Sequence, residues 1–253
     1  MTALHDKAAI AAAFSRAAAQ YDQAARFQRL SGEKLMALAP PAAAGSKVLD
    51  AGCGTGYFSH AWRMRGHCVT ALDLAPGMLD KARENGCADR YLQGDIEHLP
   101  LEDASVDLCF SNLAVQWCTS LKAALKEMHR VTRPGGKILF STLAEHSLRE
   151  LREAWSQVDD RPHVNHFLSA EAIADACRPY PHRLYQHTET ELFSSVPGVL
   201  HSLKGIGATH LHQGRHPGLS GRQRMAHLLA VYPQRQGKYP LSYQLILGVI
   251  ERE

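Results

Sequence analysis

Three glycines and a carboxylate within seven residues form the most chemically loaded stretch of this chain. In Val48-Leu49-Asp50-Ala51-Gly52-Cys53-Gly54-Thr55-Gly56 the glycines recur at every second position, as G-x-G-x-G. Glycine lets a backbone turn tightly and come within contact distance of a ligand. The spacing differs from the G-x-G-x-x-G with which dinucleotide enzymes hold a pyrophosphate. Asp50, two residues before the first glycine, would face a pyrophosphate unfavourably but suits a ligand that carries an ammonium group. Asp73 lies at roughly the ~20-residue offset at which an acidic residue grips ribose hydroxyls. Further on, Gly94-Asp95-Ile96 offers a carboxylate that could accept from an adenine amino group and an aliphatic side chain to pack on the ring. Ser111-Asn112-Leu113 is a fourth polar step of the same kind.

Each of these groups falls where a short apolar run ends. Residues 47–50, 67–73, 90–93, 106–111 and 137–143 read as strands, the last after the turn Arg133-Pro134-Gly135-Gly136. Residues 55–65, 77–85 and 120–131 read as the helices between them. Strands alternating with helices predict parallel crossovers, with helices on both faces of a twisted sheet. Open parallel sheets bind ligands at the carboxyl ends of their strands. Upstream, residues 7–39 read as helix, interrupted only at Gly32 and stopped by Pro40-Pro41. Downstream, 148–158, 169–176 (with Ser169 as N-cap) and 196–203 read as helices, and 184–192 and 239–250 as the last two strands. The expectation is an α/β fold with a mostly parallel seven-stranded sheet. It forms one domain over 1–253: a helical lid over 1–40, a cofactor-binding half over 41–145 and a substrate-side half over 146–253.

Bulk properties agree with one globular domain: 253 residues, 45% hydrophobic and 21% charged. A net charge of +3 without a run of five basic residues gives no reason to expect nucleic acid. Six cysteines lie singly, with no C-x-x-C pair, which predicts buried free thiols in a reducing compartment. The 15 histidines include no H-E-x-x-H, so no metal is expected. Lys7 and Arg16 break up the N-terminal alanine-rich stretch, and no apolar run approaches the ~18 residues of a membrane span. A cytoplasmic protein without membrane or nucleic-acid partners is expected.

Taken in order from 48 to 143, these features resemble the class I S-adenosylmethionine-dependent methyltransferases, whose fold is Rossmann-like. S-adenosylmethionine carries an α-amino group and a sulfonium and no phosphate, which suits Asp50. The resemblance implies that Asp50 and Gly52, with Cys53 and Gly54, hold the methionine part. Asp73 would bind the ribose hydroxyls; Leu74, Met78 and Gly94 would also line the cofactor. Asp95 and Ile96 would hold adenine, and Asn112 and Leu113 the methyl end. Tyr21 would close over the cofactor from the N-terminal segment.

Three further segments carry a closer resemblance: Ala13-Phe14-Ser15-Arg16-Ala17-Ala18-Ala19-Gln20-Tyr21-Asp22, Ser111-Asn112-Leu113-Ala114-Val115-Gln116-Trp117-Cys118 and Ser202-Leu203-Lys204-Gly205-Ile206-Gly207-Ala208-Thr209-His210. Together they look like the malonyl-[acyl carrier protein] O-methyltransferases of biotin synthesis. That likeness implies esterification of the free carboxylate of a malonyl thioester carried on an acidic acyl carrier protein. A carboxylate with a pKa near ~4 is already ionised at neutral pH, so no catalytic base is expected and catalysis should lie in positioning. Lys204, Thr209 and His210 are the candidates to place the malonyl group, with Gly205 and Gly207 bending that segment inward. Gln116 and Trp117 would wall the acceptor pocket. The basic set Lys122, Lys126, Arg130, Arg133, Arg149 and Arg152 could face the carrier protein. Two other readings remain: a methyltransferase for a small quinone-like or polyketide-like acceptor, and a subunit that only binds S-adenosylmethionine.

Overall fold

The computed structural model describes residues 6–40, 43–207 and 221–253. In chain order the strands are β1 (Lys47–Ala51), β2 (Cys68–Asp73), β3 (Arg90–Gln93), β4 (Val106–Asn112), β5 (Thr132–Leu143), β6 (His182–Phe193) and β7 (Tyr239–Glu251). They form one sheet in the order β3-β2-β1-β4-β5-β7-β6. The first five run parallel, while β7 runs antiparallel to both β5 and β6. Strand order reverses between β1 and β4, and the crevice beyond their carboxyl ends is where such sheets take ligands.

The helices are α1 (Lys7–Ala17), α2 (Tyr21–Ala24), α3 (Arg26–Met36), α4 (Tyr57–Met64), α5 (Pro76–Glu84), α6 (Leu121–Val131), α7 (Arg149–Ser156), α8 (Ala170–Cys177), α9 (Val196–Gly205) and α10 (Gly221–Val231). α6 illustrates why they form. Leu121, Ala124, Leu125, Met128 and Val131 recur at helical spacing and are buried, and Ser120 accepts from the Ala123 N–H at 3.2 Å as N-cap. Along β4 the side chains alternate. Leu108 and Phe110 join one core with Phe58 and Trp62, while Cys109 joins the opposite one with Leu49 and Ile138. Both faces of the central sheet are therefore covered. Among the described residues no helix is long and apolar enough to cross a membrane.

Three expectations need correction. Residues 7–39 are not one helix but three, breaking at 18–20 and at Ala25. Gly32 lies inside α3, where a Cβ would meet the Phe58 ring at 2.0 Å. The breaks come from tertiary ties instead: the Thr55 hydroxyl donates to Asp22 at 2.8 Å, and Arg29 donates to the Asp22 carbonyl at 2.9 Å. The turn at 133–136 does not precede β5 but lies within it. Val106 pairs with Thr132 and Leu108 with Lys137, so the extra residues bulge out of the ladder. Finally, Cys68 is exposed although Cys53, Cys87, Cys109 and Cys177 are buried; all six are free thiols.

Candidate active site

Two cavities adjoin over the carboxyl ends of β1 to β4. The first, with about 660 Å³ of empty space, takes polar lining from every one of those strand ends. Gly52 follows β1 at φ +82°, and its N–H donates to the Leu72 carbonyl at 2.7 Å. A Cβ there would lie 2.3 Å from the Ala114 Cβ, so only glycine fits. Asp73, at the tip of β2, is held by two backbone donors, Gly54 N–H and Ala75 N–H, each at 2.8 Å. Desolvation raises its pKa, and those two bonds oppose the rise. Gly54, Leu74, Met78 and Gly94 complete that side of the wall.

Asp95, past β3, accepts from the Glu97 N–H at 3.0 Å and hydrogen bonds with Lys7, which also bonds Glu97. Lys7 thus ties α1 across the cavity mouth. Ile96, Asn112 and Leu113 line the far wall. The Asn112 carbonyl accepts from the Ser31 and Ser141 hydroxyls at 2.9 and 2.8 Å, and its amide donates to the Gln28 carbonyl at 2.9 Å. Its side chain therefore fastens α3 to β4.

Asp50 and Cys53 stand apart from the other expected cofactor residues, because neither lines this cavity. Asp50 is 2% exposed and accepts from the Ser59 hydroxyl at 2.6 Å. Burial raises its pKa to about 7. Lys7, Ile10, Phe14, Ala114 and Cys118 line the cavity without having been expected there. Phe14 lies in a segment that carries the family resemblance. For Lys7, a single lysine in an alanine-rich helix, the sequence holds no signal.

The second cavity, with about 690 Å³ of empty space, shares Phe14, Tyr21, Leu113 and Trp117 with the first. Phe14 meets Trp117 edge-on at 5.2 Å, and Phe27 stacks on Tyr243 at 3.8 Å. Among the described residues, neither carboxylates nor lysine or arginine line it; its polar side chains include Gln28, Gln116, His163 and Asn165. Desolvation, then the nearby Asp73 charge, pushes the Tyr21 pKa well up, so the phenol stays neutral.

Lys204 is exposed on the last turn of α9 and lines neither cavity, whereas Leu203 and Ile206 beside it line the second. Thr209 and His210 lie outside the described residues. Gly205 and Gly207 serve close packing rather than an inward bend. A Cβ on Gly205 would lie 2.5 Å from the Ala24 Cβ, and Gly207, at φ +75°, backs onto Phe14. These contacts seat the end of α9 against α1 and α2. Of the basic set, Arg130 is engaged by Glu127 and Asp103, Arg133 by Asp107, Arg149 by Glu150 and Glu153, and Arg152 by the Glu145 and Ser147 carbonyls. Lys122 and Lys126 are exposed.

Comparison with known proteins places this geometry in a family. Residues 49–140 match the family described as a methyltransferase domain. The chain is 58% identical to the malonyl-[acyl-carrier protein] O-methyltransferase of Pectobacterium atrosepticum, with all of both chains covered. It is 59% identical to that of Yersinia pestis, over 98% of this chain and 92% of that one. Among solved structures, a putative methyltransferase from Bacillus halodurans superposes with a TM-score of 0.62 at 17% identity, covering 87% and 98% of the two chains. The geranyl diphosphate C-methyltransferase of Streptomyces coelicolor, solved with S-adenosyl-L-homocysteine, superposes at 0.54 with 20% identity over 90% and 80%. These two likenesses establish the fold.

Proposed function

This chain belongs to the malonyl-[acyl-carrier protein] O-methyltransferases, and from that premise we infer its reaction and the residues that serve it. It transfers a methyl group from S-adenosylmethionine to the free carboxylate of malonyl-[acyl carrier protein]. The product is the malonyl methyl ester that primes pimeloyl synthesis for biotin. Esterification removes a charge that would cost several kcal/mol to bury in the apolar acyl channels of chain-elongating enzymes.

One observation carries the residue assignment: the two cavities share a wall but differ in charge. Asp73 and Asp95 line the first, which suits a cationic cofactor, and among the described residues no carboxylate lines the second, which suits an anionic acceptor. S-adenosylmethionine supplies an electrophilic methyl group on its sulfonium. Asp73 accepts from the ribose hydroxyls, Asp95 and Ile96 hold adenine, and the 52–54 backbone receives the methionine part. Phe14, Tyr21, Leu113 and Trp117, the side chains common to both cavities, exclude water and align the carboxylate with the methyl group. Tyr21 keeps its proton, so it shapes the shared wall and takes no part as a base. Lys204, outside the cavities at the end of α9, meets the phosphate of the carrier's phosphopantetheine arm, with Lys122 and Lys126 as further charges toward an acidic carrier.

Incubation with labelled S-adenosylmethionine and malonyl-[acyl carrier protein], followed by mass measurement of the carrier, tests the reading. One methyl should be gained, and the acetyl-loaded carrier should stay unchanged because it lacks the carboxylate. Methylation of the acetyl form would mean another nucleophile and would end the esterification reading.

A further inference from the structure

Gln28 on α3 and Gln116 in the short 3-10 turn Val115–Trp117 come from distant parts of the chain and line the same acceptor cavity. The amide oxygen of each is buried without a hydrogen-bond partner among the described residues. Buried polar groups left unpaired are costly, and most in folded proteins find partners. Both residues line one largely aromatic and aliphatic cavity, and their partnerless amide oxygens mark a place for a polar ligand. A half-turn about the last side-chain bond exchanges amide oxygen and nitrogen, so each group can present N–H donors there.

One hydrogen-bonded node joins the backbone of Gln28 to that of Leu113. The backbone carbonyl of Gln28 accepts from the Asn112 amide at 2.9 Å, and the Asn112 side-chain carbonyl accepts from Ser141 at 2.8 Å. The Leu113 N–H donates to the same Ser141 hydroxyl at 2.9 Å. Leu113 is held at φ +51°, a strained conformation for a leucine, three residues before Gln116 and on the wall shared by both cavities. Of the other polar side chains, His163 already has Asp159 at 2.8 Å and Arg224 at 3.2 Å on one ring nitrogen.

We propose that the side-chain amides of Gln28 and Gln116 hold the malonyl group, donating to one carboxylate oxygen and to the thioester carbonyl and leaving the second carboxylate oxygen free to attack. The proposal rests on the malonyl reading above. In this transfer the O–CH3 bond forms as the S–CH3 bond breaks, so a carboxylate and a sulfonium cancel each other's charge and the neutral thioether S-adenosylhomocysteine leaves. A fixed cation beside the carboxylate would therefore stabilise the ground state more than the transition state and slow the step. An amide carries no net charge, so it orients the anion through a hydrogen bond without the ion-pair attraction that a lysine or arginine would add to the ground state. That accounts for a cavity that takes an anion with no lysine or arginine among the described residues of its wall.

The test uses Gln28→Leu, Gln116→Leu, the double change, and the near-isosteric Gln28→Glu and Gln116→Glu. For each, kcat and KM with malonyl-[acyl carrier protein], cofactor affinity and Tm are measured. Each Leu variant should lose roughly 3- to 10-fold in kcat/KM and the double variant about 10- to 100-fold, as expected for neutral hydrogen bonds. Each Glu variant should lose more than its Leu counterpart, because a carboxylate then faces a carboxylate. Cofactor affinity should stay within about twofold of the parent in all of them. Glu variants no worse than Leu variants, or all variants within twofold of the parent, would overturn the proposal. Should a Leu variant fail to fold, the Glu pair decides by the same comparison with alanine in place of leucine. If the parent itself leaves malonyl-[acyl carrier protein] unmodified, the acceptor reading fails rather than the amide assignment.

Discussion

The cofactor cavity and the acceptor cavity share four side chains and are built by opposite means. In the first, the polar groups end strands of a parallel sheet and are held by neighbouring backbone, as Asp73 is by the N–H groups of Gly54 and Ala75. In the second, the wall comes from α3, the 3-10 turn, the segment after α7, α9 and β7, and the amide oxygens of Gln28 and Gln116 have no partner among the described residues. The difference follows from what each must do. A cationic ligand common to many enzymes can be met by carboxylates preset on rigid strand tips. An anionic acceptor on a long arm must be admitted, enclosed and released, and its wall is assembled from helices and connecting segments packed over the sheet.

The contrast is broken hardest at Asp73. Asp73→Ala should weaken S-adenosylmethionine binding by ~1.5–3 kcal/mol, the loss of a charged acceptor, and lower Tm as well, because the Gly54 and Ala75 N–H groups lose their partner. Unchanged affinity in titration would put the ribose elsewhere. Next comes the seat of α2 against α9. In Gly205→Leu the added side chain collides with Ala24, displacing α2 from α9 at a cost of ~1–3 kcal/mol. Acceptor turnover should fall about tenfold with cofactor affinity reduced less. An equal loss of both would show that α1 and α2 serve the cofactor as much as the acceptor.

Asp50 sharpens the comparison through pH. Its pKa is raised to about 7, so below pH 7 it is increasingly protonated in the free protein, and its contribution to stability is present at low pH and lost as pH rises through about 7. A bound ammonium group would favour the carboxylate and expel that proton. S-adenosylmethionine affinity should then rise with pH up to about 7 and level off above it, by as much as about tenfold per pH unit on the acid side. Titrations at several pH values check this. A flat profile would confine Asp50 to supporting the loop through Ser59.

Smaller effects are expected at the two lysines. Lys7→Met removes the tie from α1 to Asp95 and Glu97, but Glu97 keeps the N–H groups of Thr119 and Ser120 at 2.9 and 2.8 Å. Cofactor release, followed by stopped flow, should quicken by about 2- to 5-fold, in line with a partly exposed ion pair worth ~0.2–1 kcal/mol. Lys204→Met should raise KM for the carrier-bound substrate about 2- to 5-fold and leave kcat alone. A fall in kcat would bring Lys204 back to the malonyl group itself.

The cofactor half was legible because its determinants are local. The glycine loop, the strand runs and the acids that end them lie within a few residues of the backbone they shape, so spacing alone placed Asp73, Gly94 and Asn112 at strand ends. β3 and the Ser169 cap followed from the same short-range logic, and the α8 bounds differ by one residue at the end. The breaks in the N-terminal helix had no such signal. Alanine-rich sequence favours helix throughout, and the chain turns at 18–20 only because Asp22 finds Thr55 and α2 finds Gly205. Nor could spacing bring Lys7 to Asp95, or Gln28 to the cavity of Gln116. Those meetings depend on how helices pack on the finished sheet, and packing is decided by shape and burial across the whole chain rather than by any residue's neighbours in sequence.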